Sequence, residues 1–407
     1  MGELAVKFKE YEFRPLILGG DITAYSLVRS FYEEYGVKSL VVNMSKGGAV
    51  ADSRLCDVLY YENLENEKIL LAALLEVGEK YKDKKLIVFG CGDWYVRMLI
   101  ENKAALSKYY VIPYIDEDLM NRIVLKDQFY DICDKLDIPH PRTFVYDCKA
   151  KTPLTYDFDY PIIAKTANSA MYHYAKFPGK RKVFKFNSKA ELEEMLANLS
   201  TSTYDYKFLI QDFIPGDDSN MRVLTCYSDK NAKVRFAAMG HVLLEEHTPS
   251  ALGNPCLIYN EVNEEVVAQA TRFLEYIGYT GYSNFDLKYD PRDGKFKFFE
   301  INIRLGRSNF YVTGSGFNTV KLIVDDLIYN REIPYHIADR ENLFTFVPKS
   351  VIKTCVKDEK EKQKALALMK QGKWCNPLFC RADKSLYHIL YSRLAFYNQK
   401  NKFKKYF

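Results

Sequence analysis

Around residue 300 the chain reads "FFEINIRLGRSN", with Glu300, Asn302 and Arg304 at every second position. Strand side chains alternate between faces, so these three polar groups are expected together, with Phe299, Ile301 and Ile303 opposite. The preceding stretch, "SNFDLKYDPRDGKFKFFEINIR", contains "DPRDG". Proline there presets φ and glycine accepts a positive φ, which predicts a hairpin. Pairing Tyr289 with Lys297 sets Asp286 opposite Glu300. At about 4 Å two carboxylates repel by roughly 1 kcal/mol in water and about 4 kcal/mol in a partly buried site. Such a pair requires a cation. Lys288, on the same face, offers an ordinary ion-pair network. Mg2+ fits better, because it takes one or two carboxylates, keeps waters and fills its other positions with phosphate oxygens. Asn302 adds a neutral oxygen donor, and Arg304 can grip a phosphate with two parallel bonds.

These residues must be positioned by the elements around them. Up to about residue 120, the apolar runs "RPLILGG", "KSLVVN", "KKLIVFG" and "YYVIPY" alternate with helical patterns such as "TAYSLVRSFYEEYG" and "EKILLAALLEVGEKY". That alternation predicts βαβ units on a parallel sheet. The first strand ends in "LGGD", which is not a G-x-G-x-x-G phosphate turn, so a dinucleotide site is unsupported there. The loops after Gly20 and Gly92 nevertheless lie at strand ends, where open sheets receive ligands. Beyond "DIPHPRTF" the pattern becomes α+β. Strands are expected at "YPIIAK", "KVFKF", "KFLIQDFIPG", "NMRVLTCYSD" and "AKVRFAAMGHVLLEE", the last two joined by a turn at "SDKN". "SKAE" is a capping box opening a helix to about Asn198, and "NEEVVAQATRFLEYIG" is a second helix. Lys165 closes an apolar strand, where a lysine needs an anion to face.

With 407 residues, of which 48% are hydrophobic and 27% charged, the chain is globular and large enough for more than one domain. No apolar run approaches the roughly 18–20 residues that span a bilayer, and a cytoplasmic protein is expected. The nine scattered cysteines suit reduced thiols, and Cys375 and Cys380 in "CNPLFC" lack a second ligand pair for zinc. The net charge of +5 gathers near the end, where Arg381, Lys384, Arg393, Lys400, Lys402, Lys404 and Lys405 face only Asp383. A solvated face is the default reading of that segment, with membrane-surface contact less favoured and no nucleic-acid partner expected.

The order "YPIIAK", "IQDFIPGDD", "FDLKYD", "FEINIRLGRS" resembles the ATP-grasp ligases over about residues 121–330. Within them, "YSNFDLKYDPRDGKFKFFEINIRLGRSNFYVTGSGFN" and "GHVLLEEHTPSALGNP" look most like the bacterial D-aspartate ligases of peptidoglycan side-chain synthesis. The resemblance implies an α/β and α+β fold in which a Rossmann-like pre-ATP-grasp domain (1–120) precedes a two-lobed ATP-grasp domain. Its lobes would be 121–205 and 206–330, followed by a small C-terminal extension (331–407) with the basic tail. ATP and Mg2+ are implied. Lys126 and Lys165 would meet the ATP phosphates, and the segment Gln211, Asp212, Phe213 and Ile214 the adenine, through the backbone of Asp212 and Ile214. Asp218, or Asp217 beside it, would hold the ribose hydroxyls. Asp286, Glu300 and Asn302 would hold the metal, while Lys165 and Arg304 would stabilise the transferring phosphoryl group. Arg307 and Ser308 would bind the α-carboxylate of the amino acid, although Ser308 equally suits a helix cap. Glu246 and His247, with Glu245, are the candidates near the substrate for a base. One departure is the loop "TANSAMYHYAKFPGKRK", whose single glycine is Gly179, so Ser169 and the "KRK" run are expected to assist phosphate binding. The implied reaction turns the side-chain carboxylate of D-aspartate into an acyl phosphate and joins it to the lysine amine of a UDP-MurNAc-pentapeptide. The alternatives are a ligase for another carboxylate and amine, or an ATP-binding sensor without turnover, which the complete polar set at 286–304 disfavours.

Overall fold

The structure is a computed structural model that describes residues 7–168, 171–172, 174–249 and 251–407. The chain forms two compact units. The first comprises Met1–Glu117, Asp218–Asn284 and Asn302–Phe407, and the second Asp118–Asp217 and Phe285–Ile301.

In the first unit, β1 (Phe13–Leu18), β2 (Ser39–Asn43), β3 (Cys56–Tyr60), β4 (Lys85–Gly90) and β5 (Tyr110–Val111) form a parallel sheet in the order β3-β2-β1-β4-β5. Leu16, Ile17 and Leu18 of β1 and Leu40, Val41 and Val42 of β2 are fully buried, as a strand covered on both faces requires. After β1, Asp21 caps helix Ile22–Tyr35 by accepting from the N–H groups of Thr23 and Ala24. The glycines of "LGGD" answer to backbone geometry. Gly19 has φ 121°, and a Cβ on Gly20 would lie 2.2 Å from the Asn43 amide.

The second unit contains β6 (Thr143–Asp147), β7 (Ile162–Thr166), β8 (Val183–Phe186) and β9 (Lys207–Asp212), antiparallel in the order β6-β9-β7-β8. Ile162 and Ala164 of β7 join Phe184, Phe186, Phe208 and Ile210 in one core beneath helix Lys189–Leu199. Alternation leaves Ile163 and Lys165 on the other face. The capping box is shifted by one residue from the standard form. Ser188 accepts from the Glu191 N–H, but the Glu191 carboxylate accepts from the Asn187 N–H at 2.9 Å.

The remaining strands are β10 (Met221–Ser228), β11 (Val234–Glu246), β12 (Asn254–Glu261), the hairpin β13 (Gly281–Asp290) and β14 (Lys295–Asn302), and the short β15 (His336–Ile337), β16 (Leu343–Thr345) and β17 (Trp374–Cys375). In the first unit β10, β11, β12, β16 and β17 are neighbours in that order, with the opening residues of β13 beside β10 and β15 parallel to β11. β13 belongs to the first unit through Asn284 and to the second from Phe285.

The hairpin departs from simple alternation. β14 ends at Asn302, so Ile303 and Arg304 lie past the strand. Phe298, which alternation places with Glu300, is fully buried and meets Phe285 edge-on at 5.4 Å, whereas Phe299 is only half buried. The reason is packing on both sides. The Phe298 N–H donates to the Pro139 carbonyl at 2.8 Å, and the Tyr130 hydroxyl donates to the Phe299 carbonyl at 2.8 Å.

Residues beyond 330 add helices Lys349–Cys355, Glu359–Lys370 and Leu386–Tyr406 to the first unit. Asp383, the lone acid of the basic segment, is buried and accepts from the hydroxyls of Tyr25 (3.0 Å) and Ser53 (2.6 Å) and from the Arg54 N–H (3.2 Å). All nine cysteines are free thiols. Among the described residues no helix is long and apolar enough to cross a membrane.

The hairpin turn carries an anchor that its turn residues did not announce. Arg292 donates to both oxygens of Asp212 at 3.0 Å and to Asp290 at 2.7 Å, and the Asp212 side chain is 9% exposed. Removing the guanidinium leaves a buried carboxylate whose remaining cation among the described residues is Arg142, at 3.3 Å. Arg292→Met is therefore expected to destabilise the second unit by about 2–3 kcal/mol, read by urea unfolding. A midpoint equal to wild type would remove this anchor from the account.

Candidate active site

In the second unit, Lys126 opens helix Lys126–Lys135 and donates to Glu300 of β14. Burial alone would raise the Glu300 pKa, but Lys126 and Lys165, with Lys182 adding, outweigh it and hold the carboxyl well below its usual range. Lys165 projects from β7 with Nζ 3.4 Å from the Tyr130 hydroxyl and 5.6 Å from the centre of the Phe299 ring. Burial first, then the nearby Lys126, presses its pKa down to about 7; Glu300 and Asp286 pull the other way. The fold thus brings together Lys126, Lys165, Asp286 and Glu300. Lys182, of the "KRK" run, acts on the same group, while Ser169 lies outside the described residues. The cation against Glu300 is Lys126, a partner 174 residues away that hairpin logic did not supply. Lys288 donates to the carbonyls of Ile214 (3.0 Å) and Gly216 (3.2 Å).

The adenine-segment candidates lie at the end of β9. Gln211 is buried and donates to the Thr143 hydroxyl at 2.8 Å. The Asp212 N–H is taken by the Arg142 carbonyl at 3.0 Å. Phe213 lies under two ammonium groups, Lys185 at 4.1 Å and Lys288 at 5.5 Å from the ring centre, and Ile214 is buried.

A second cluster forms in the first unit. Asp218 opens a short 3-10 turn, and its Oδ2 accepts from the Glu245 N–H at 3.0 Å and lies 2.9 Å from His247 Nε2. Glu246, at the end of β11, is a buried carboxylate reached by Arg307 at 3.4 Å. Arg307 also reaches Asp21 at 3.3 Å, and Arg304 donates to Asp93 at 2.6 Å. The loops after Gly20 and Gly92 thus each deliver an acid to an arginine of the "RLGRS" segment. Asn302 donates to the Asn284 carbonyl at 3.4 Å. Ser308 is buried and its carbonyl accepts from the Tyr311 N–H at 2.9 Å; helix Phe310–Gly314 begins without a side-chain cap, so the capping reading of Ser308 falls.

Three participants escaped the sequence reading. Asn309 is buried and exchanges hydrogen bonds with Ser26 at 3.2 Å, tying the arginine segment to helix Ile22–Tyr35. Lys402 lies 3.7 Å from Glu246 Oε2, an oxygen with no hydrogen bond among the described residues. Phe407 meets the His247 ring edge-on at 4.8 Å. In sequence the basic end has the pattern of a solvated face, and its inward-facing members carry no signal of their own.

Chemically, the first cluster gathers positive charge for an anion beside two carboxylates that suit a cation. The second gathers guanidinium, ammonium, carboxylate and imidazole groups of both charges.

No protein-family model matches the chain. It is 35% identical over 408 residues to the D-aspartate ligase of Enterococcus faecium (strain Aus0004), covering 97% of each chain. Among solved structures, the L-amino acid ligase of Bacillus licheniformis superposes with TM-score 0.55 at 15% identity, over 77% of this chain and 74% of that one. The biotin carboxylase domain of the Hydrogenobacter thermophilus 2-oxoglutarate carboxylase, in complex with MgADP, ADP and bicarbonate, gives TM-score 0.61 at 13% identity, over 82% and 73%.

The lowered pKa of Lys165 has a stability consequence. Between about pH 7 and the ordinary lysine value of 10.5, the unfolded chain holds a proton that the folded chain has lost, so this group's contribution to stability rises with pH across that window. Lys165→Met should accordingly stabilise the unliganded protein at neutral pH, by roughly 1–3 kcal/mol, with the gain shrinking toward pH 10. Thermal melts of both proteins across that range check it, and a destabilised variant at pH 7 refutes the assigned burial of charge.

Proposed function

The chain belongs to the ATP-grasp carboxylate–amine ligases, in the D-aspartate ligase family, and on that premise we propose that it joins the side-chain carboxylate of D-aspartate to the lysine amine of a UDP-MurNAc-pentapeptide precursor. The observation that carries this reading is the group formed by Lys126, Lys165, Asp286 and Glu300, in which lysine charge is concentrated beside two carboxylates. The choice of D-aspartate is supported by the end-to-end similarity to the enterococcal enzyme. We propose a cytoplasmic location and the domain limits 1–120, 121–205, 206–330 and 331–407.

In this reading a carboxylate oxygen of D-aspartate attacks the γ-phosphorus of ATP. The bond to the departing ADP breaks and an acyl phosphate forms. The amine then attacks the acyl carbon, inorganic phosphate leaves, and an amide results. Positioning and preorganised charge do most of the work. Lys126 and Lys165 are assigned to the phosphates. A phosphate beside Lys165 restores the full charge that burial has weakened, so the site gains attraction as the ligand arrives. Arg304, steadied by Asp93, is assigned to the transferring group. Because the Asp212 N–H is taken, its carbonyl is left to meet adenine together with the backbone of Ile214, with Phe213 alongside Lys185 and Lys288. Asp218 is assigned to the ribose hydroxyls.

The donors Asp286, Glu300 and Asn302 are all hard oxygens, and Glu300 already shows its demand for a cation by pairing with Lys126. They would hold Mg2+, which when bound neutralises charge on the β- and γ-phosphates. Arg307 and Ser308 are assigned to the α-carboxylate of the amino acid, with Glu246 near its ammonium. An alkylamine is protonated at neutral pH and needs a base. Glu246 is engaged by two cations, whereas His247 is oriented by Asp218 at 2.9 Å, which favours His247 over Glu245 and Glu246.

The test is phosphate release from MgATP across a panel of D- and L-amino acids, with hydroxylamine as surrogate amine. Hydroxamate is expected to form preferentially with D-aspartate. Preference for another carboxylate would reassign the substrate, and ATP binding with no release toward any carboxylate would make the protein a sensor. Glu300→Gln is expected to lower turnover by at least about a hundredfold, a larger loss than its weakening of the fold, with the melting temperature lowered by loss of the Lys126 pair but a cooperative transition retained. Ligation retained in that variant would sink the metal role.

A further inference from the structure

Helix Leu386–Tyr406 is apolar on two sides. Its inner side buries His388, Ser392, Phe396, Gln399 and Phe403. Its outer side leaves Leu386 83% exposed and Leu390, Leu394 and Tyr397 each 61% exposed. At about 100° per residue these four fall within an arc of about 80°, so they form one stripe and not scattered exposures. Arg393, Lys400, Lys404 and Lys405 are also exposed and lie along the same outer side. No acidic residue occurs from Lys384 to Phe407, and Asp383 just before them is buried and occupied by Tyr25 and Ser53.

That combination decides between occupants. A second copy of the stripe would bring more basic groups and no acid from residues 384–407 to meet them. An anionic bilayer surface offers acyl chains to the leucines and phosphates to the lysines at once. We propose that the outer face of helix Leu386–Tyr406 docks on anionic phospholipid, with Leu386, Leu390, Leu394 and Tyr397 entering the interface and Arg393, Lys400, Lys404 and Lys405 at the headgroups. The helix lies in the plane of the surface and does not cross it. Its inner contacts, Lys402 with Glu246 among them, are undisturbed by this mode.

The experiment is flotation of the full-length protein with phosphatidylcholine vesicles, with and without phosphatidylglycerol, at low and high salt. The expected result is binding that requires phosphatidylglycerol and weakens with salt. Leu390→Gln with Leu394→Gln, and separately Lys404→Glu with Lys405→Glu, should each reduce partitioning by about tenfold or more. Both pairs are solvent-facing, so melting temperature and ATP-dependent phosphate release in the absence of lipid should match wild type. No flotation with phosphatidylglycerol overturns the proposal, as does equal flotation with neutral vesicles. A wild-type dimer that the leucine variants convert to monomer, without lipid binding, overturns it in favour of a second copy.

Discussion

The pairing of Lys126 with Glu300 is the interaction on which the second unit depends. A partly buried carboxylate held low chiefly by Lys126, its hydrogen-bonded partner, is tolerable only while that lysine stays in place. The arrangement therefore obliges helix Lys126–Lys135 to begin where β14 ends, and the Tyr130 hydroxyl bond to the Phe299 carbonyl fixes that approach. Lys165 adds a further positive charge there, and burial first, then Lys126, presses its pKa down to about 7. Structure and chemistry meet here: the same burial that weakens the lysine in the empty protein strengthens its attraction for an arriving anion.

Much of the scaffold was legible because it is built from local periodicity. β1, β2 and β4 of the first sheet are largely apolar runs and the hairpin announces itself through "DPRDG", whereas the edge strand β3, "CDVLY", carries an acid and half-exposed positions and was not expected. Asp286 and Glu300, which the hairpin pattern sets together, both act on Lys165. Clean alternation along β14 does not hold, because Phe298 packs its ring on Phe285 and its N–H bonds the Pro139 carbonyl, partners that no local rule contains.

What stayed hidden were partners joined across long stretches of chain. Arg292 with Asp212, Lys126 with Glu300 and Lys402 with Glu246 are each pairs of ordinary charged residues in sequence, and only the fold makes them neighbours. Residues 331–407 were the least readable. Their long helix has apolar positions all around its circumference, so it lacks the one-sided stripe by which a surface helix is usually recognised.

That symmetry of hydrophobicity has a consequence for how the helix finds its orientation. Burying the Leu390 and Leu394 side would gratify the hydrophobic effect nearly as well as burying the Phe396 and Phe403 side. The choice falls to directional groups: His388 faces the carbonyls of Ala49 and Leu378 at 3.0 Å each and stacks on Tyr25 at 4.1 Å, while Lys402 reaches Glu246. These contacts act as a selector between two rotational settings more than as a source of net stability. Errors at such positions would yield a docked helix facing the wrong way, a compact and well-ordered protein with an altered surface, and not an unfolded chain.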